Sequence, residues 1–117
     1  MKRPIRFRLH NDTWRFSVAV MVGGTAEDGA KWARKLIGDG CQPGPGNARC
    51  WYADACGGNA AIWFEKNPGA GIVAHEALHA VCQLMQNRGM QPMNTENDEA
   101  YCYLLQWLVS GIGSKLW

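Results

Sequence analysis

The chain has 117 residues, of which 47% are hydrophobic and six are Trp, and it carries a formal net charge of only +2. That length supports one buried core, a single domain over residues 1–117, and hardly two. The small net charge makes no electrostatic case for nucleic acid, and no apolar run is long enough to read as a membrane span.

At the start, Lys2, Arg3, Arg6, Arg8 and Arg15 interleave with Phe7, Trp14 and Phe16. Alternation of this kind describes the two faces of a strand. Ile5 to Leu9 and Trp14 to Val22 read as strands joined through an Asn11-Asp12 turn. The apolar run from Phe16 to Val22 is short and preceded by Arg15, which describes a buried strand rather than a signal peptide. Thr25 then caps a helix from about Ala26 to Ile37, with Trp32, Ala33, Leu36 and Ile37 inward.

Residues Gly38 to Gly58 are rich in Gly and Pro and read as loop, with a short strand near Cys50 to Ala53. The five cysteines, Cys41, Cys50, Cys56, Cys82 and Cys102, are odd in number and form no C-x-x-C pair. Reduced thiols in a cytoplasm are therefore expected; a bridge among Cys41, Cys50 and Cys56 would require export. Ala60 to Glu65 reads as the last strand. A helix opens after it at Asn67-Pro68, with Asn as N-cap and Pro at the first helical position. Ile72, Val73, Ala77, Leu78, Val81, Leu84 and Met85 give that helix a broad apolar surface. A second helix starts near Thr95, where Asp98 three residues on suggests a capping box, and carries Leu104, Leu105, Leu108, Val109 and Ile112 as its stripe. The expected class is α+β: a small, mostly antiparallel sheet with a pair of C-terminal helices packed on it.

His75-Glu76-Ala77-Leu78-His79 carries the chemistry. Histidines four apart project from one face of a helix, so two imidazoles can hold one metal ion. Glu76 points beside the metal, where it can take a proton from an activated water. On the helical wheel the two histidines fall at the edge of the apolar surface, with Glu76 further round. The structural alternative is two hydrogen-bonded core histidines with Glu76 in solvent.

Catalytic zinc usually has three protein ligands, and two histidines leave one position to fill. The metzincin position six residues after His79 is Met85, and no histidine follows His79. Glu99, 20 residues after His79, is the leading donor on spacing, and Glu96 one turn earlier is its rival. Glu99 shares a polar face with Tyr103, Gln106 and Ser110, a pattern that also describes a plain surface face. Tyr103 reads as a half-buried aromatic, with a weaker role as a donor to an oxyanion.

With these residues the segment from about Ile62 to Leu108 resembles the gluzincin, or thermolysin-like, metallopeptidases. In that class an edge strand and an H-E-x-x-H helix precede a helix bearing a glutamate ligand. Asp98-Glu99-Ala100 is similar to the segment around that ligand. The whole chain is also similar to small metallopeptidase-like proteins of phage and bacterial genomes. The resemblance implies a zincin-like helix pair, Zn2+ on His75, His79 and Glu99, and Glu76 as general base. It further implies an extended peptide substrate lying along the Ala60–Glu65 strand as an edge.

The expected activity is zinc-dependent peptide-bond hydrolysis on a peptide or protein, with no nucleic acid or membrane partner. So small a chain leaves little wall for a specificity pocket, so a partner protein or a second copy could complete the cleft. A catalytically silent zinc-binding module of a phage or mobile element is the alternative. A small structural domain, with both histidines in its core, is the third reading.

Overall fold

In the computed structural model, which describes residues 3–52 and 58–117, β1 (Ile5–Asn11) pairs antiparallel with β2 (Phe16–Val22). The ladder runs as far as Asn11 opposite Phe16, so the reversal occupies residues 12–15 rather than Asn11-Asp12. Asn11 Oδ1 accepts the Trp14 N–H at 2.9 Å and closes the turn. Arg15 takes a left-handed φ of 55° there. Arg88 buttresses the same turn, its Nε donating to the Trp14 carbonyl at 2.8 Å and its Nη2 to the Arg15 carbonyl.

Helix α1 (Ala26–Leu36) begins at Thr25, whose Oγ1 accepts the Asp28 N–H while Asp28 accepts the Thr25 N–H. This reciprocal box satisfies two of the helix's orphan donors. The remaining elements are β3 (Ala48–Tyr52), β4 (Asn59–Phe64), α2 (Ala70–Asn87) and α3 (Asp98–Leu116). The expected strand near Cys50 starts two residues earlier; Ala53 lies outside the described residues, as do Lys2 and Cys56.

The sheet order is β1-β2-β4-β3, with β2 and β4 parallel and the two outer pairings antiparallel. The fold is α+β, a four-stranded mixed sheet with three helices, two of them C-terminal. α1 covers one face, over Met21, Trp51, Ala61 and Trp63. α2 and α3 cover the other, over Phe16, Val18, Val20, Ile62 and Phe64. Covered on both sides, β2 and β4 need apolar residues at successive positions, which is why they read as continuous runs. β1, at an edge, keeps Arg6 and Arg8 exposed between the partly buried Phe7 and Leu9.

One expectation about the sheet is overturned. Ala60–Glu65 was expected to be the edge, but β4 sits between β2 and β3, and β3 is the free strand beside α2. Parallel pairing of β4 with β2 is a long-range choice that local alternation does not encode.

Both helix starts also shift. α2 begins after Gly69, two residues beyond Asn67-Pro68. Asn67 instead donates to the Leu116 carbonyl at 3.2 Å, and the Trp117 indole donates to the Pro68 carbonyl at 3.0 Å. α3 begins after Asn97 with no side-chain cap, because Asn94 and Asn97 bond each other in the preceding turn. At that end Tyr101 Oη donates to the Gln91 carbonyl at 2.6 Å. With its last residues tied to the start of α2 and its first near the end, α3 runs antiparallel to α2. Among the described residues no helix is long and apolar enough to cross a membrane.

Candidate metal centre

Residues four apart on α2 bring the His75 and His79 rings to a centroid separation of 5.0 Å, with the planes at 75°. Both histidines are exposed, His75 with 71% of its side chain accessible. Glu76, one residue and about 100° round the helix from His75, retains only 10% side-chain accessibility. This inverts the expectation that the histidines fall at the apolar edge and Glu76 further out. The reason is β3: the edge strand packs along the Glu76 flank of α2 and covers it, leaving the histidine flank open.

Between β3 and α2 lies a cleft of about 320 Å³, lined by His75, Glu76 and His79 from the helix and by Arg49, Cys50 and Tyr52 from the strand. The ionisable residues lining it are thus two histidines, one glutamate, one arginine, one cysteine and one tyrosine. Glu76 Oε2 stands 4.0 Å from His75 Nε2, and no donor among the described residues hydrogen-bonds this carboxylate. No buried side-chain polar atom among the described residues lacks a partner, so the unbonded Glu76 oxygens open onto the cleft, where water or a ligand satisfies them. Cys50 lines the same cleft; burial, then the Glu76 charge, push its thiol well above the ordinary range.

The structure does not bring Glu99 to the histidines. Among the described residues no three His, Cys, Asp or Glu side chains gather as a metal group. Glu99 is exposed in the first turn of α3, level with the C-terminal end of α2. From His79 to that end is about 12 Å at 1.5 Å per residue. Glu96 is exposed in the turn before α3, its N–H bonded to Asn94 Oδ1. Tyr103, expected half-buried, is 67% exposed, and the buried tyrosine is Tyr101. Arg49 and Cys50 were not foreseen as cleft residues, although the alternation of Ala48–Tyr52 beside a helix would have flagged Cys50.

Two imidazoles at i and i+4 suit Zn2+ as a donor pair. Among the described residues no third His, Cys, Asp or Glu joins them as a potential donor. Among the described cysteines, Cys50, Cys82 and Cys102 are free thiols. Compared with protein-family models, curated proteins and solved structures, the chain matches none.

Proposed function

We propose that this chain is a minimal zinc-dependent peptidase, with His75 and His79 holding the metal and Glu76 acting as general base. The observation that carries the reading is the covered, unbonded Glu76 carboxylate on the cleft wall beside a paired set of imidazoles. Zinc on such a pair would supply a Lewis acid and lower the pKa of a bound water towards about 7.

The chain's own residues account for the rest. Glu76, on the wall of the cleft, accepts the proton of the attacking water at a carboxylate oxygen. It then delivers that proton to the departing amine nitrogen, so the carboxylate is regenerated. An extended substrate adds to the free edge of β3, whose unpaired backbone groups orient it across His75 and His79. Glu99 is left out of the ligand set, since it lies a long way down the helix pair.

A second reading is a zinc-binding module without hydrolysis. The observation favouring it is that two imidazoles, and no third donor among the described residues, converge. Comparison of wild type with Glu76→Gln separates the two, because the amide keeps shape but cannot accept the proton. Cleavage of a peptide library should fall at least about 100-fold with zinc content retained. Equal cleavage by both proteins would remove Glu76 as base, and cleavage by neither would favour the module.

A further inference from the structure

The proposed chemistry leaves one charged group on the cleft wall unused. Arg49, on the edge strand β3, is exposed and is among the residues that line the same cleft as His75, Glu76 and His79. Among the described residues it forms no ion pair and no hydrogen bond. Among the described residues the one carboxylate on the cleft wall, Glu76, is not within ion-pair distance of it.

The guanidinium is also set by its surroundings. Its Nη1 lies against the backbone of Gly44, where a Cβ on that residue would stand 2.2 Å away. Cδ and Cζ of Arg49 would be 2.9 and 3.0 Å from the same Cβ. Only glycine lets the side chain lie across this loop, next to Pro45 at the cleft rim.

From this we infer that Arg49 selects an acidic substrate: the cleft takes a peptide with a carboxylate, from an Asp or Glu side chain or a C-terminus, against the guanidinium. The inference deepens the peptidase reading and rests on the peptide lying in this cleft. A planar guanidinium with free donors matches a carboxylate bidentately, whereas a neutral amide offers one weaker acceptor and a lysine repels. Arg49 is a positioning residue for the chain next to the scissile bond and takes no part in proton transfer.

The test is binding of fluorescently labelled hexapeptides that differ only in Glu, Gln or Lys at a scanned position, each with a free or amidated C-terminus. Anisotropy is read on the wild type, Arg49→Gln, Arg49→Lys and Gly44→Ala proteins, with circular dichroism to confirm folding. The Glu peptides should bind about tenfold tighter than their Gln counterparts, as expected for one charge-assisted pair, and tighter still than the Lys peptides. Arg49→Gln should erase the difference and Arg49→Lys keep part of it. Gly44→Ala, which displaces the guanidinium without removing its charge, should weaken it. Preference lost on amidation identifies the terminal carboxylate as the ligand; preference that survives identifies the side chain. Hydrolysis is followed in parallel: acid preference without cleavage upholds the role of Arg49 while counting against the peptidase chemistry. Equal binding of Glu and Gln peptides to wild type, including no binding of either, or a preference that survives in Arg49→Gln, overturns the inference.

Discussion

Glu76 Oε2 and His75 Nε2 stand 4.0 Å apart, yet the carboxylate is covered and the imidazole is open to solvent. The division follows from the packing: edge strand β3 lies beside α2 near Glu76, while the His75 and His79 side chains stay exposed. On the proposed reading, a carboxylate held on the cleft wall beside two accessible imidazoles would serve metal-assisted hydrolysis.

Glu99→Ala and Glu96→Ala should each leave zinc affinity within about twofold, an approximate bound for groups outside the first coordination shell and its hydrogen-bonded supports. Competition against a chromogenic chelator measures this. A sharp loss in Glu99→Ala alone would mean that the start of α3 reaches the histidines, against the geometry described above.

Cys50 gives a pH dependence with a defined sign. Burial and the Glu76 charge raise its folded value above the ordinary thiol value of 9.0. The unfolded chain therefore releases this proton at lower pH than the folded one. The stability tied to the neutral thiol is fully present below about pH 9 and is lost as pH rises beyond it. Denaturant midpoints from pH 7 to 10.5 should fall less steeply in Cys50→Ala than in wild type. Parallel curves would show that Cys50 does not contribute.

Two substitutions test the packing that holds the cleft. A Cβ on Gly29 would meet the Trp63 indole at 2.6 Å, and Trp63 is fixed by its Nε1 donating to the Gly23 carbonyl. Gly29→Ala should cost about 1–3 kcal/mol as overpacking, less about 0.8–1 kcal/mol regained from helix propensity. Tyr101→Phe removes a 2.6 Å hydrogen bond to the Gln91 carbonyl and should cost about 1 kcal/mol. Urea unfolding reads both; a neutral Gly29→Ala would show that Trp63 has room to shift.

The order of elements was legible because each core face has its own period. The runs in β2 and β4, the Thr25 cap and the apolar surface of α2 all read locally. The sheet order was not, because pairing β4 with β2 is decided between residues some 40 apart. The start of α2 was missed for a related reason: Asn67 and Pro68 are engaged by Leu116 and Trp117, 49 positions away. At the site, the spacing from His75 to His79 is a property of one helix and survives folding. The spacing from His79 to Glu99 crosses a loop whose Asn94–Asn97 turn sets where α3 begins, and there sequence distance stops reporting spatial distance. Arg49 carried no motif; its place in the cleft depends on β3 being the edge and on Gly44 being a glycine.

Zinc content tests the central claim most directly, since every step assigned to Glu76 presupposes a metal on the paired imidazoles. Untagged protein, loaded with Zn2+ and dialysed, is measured by elemental analysis and native mass spectrometry alongside His75→Ala and His79→Ala. About one zinc per chain is expected in the wild type, as for a single tetrahedral N/O site, with loss in both variants. Zinc at 100 times its Kd should also stabilise the wild type by about 2.7 kcal/mol and the variants by none. A stoichiometry near zero in the loaded wild type, or equal zinc in all three proteins, would contradict the assignment.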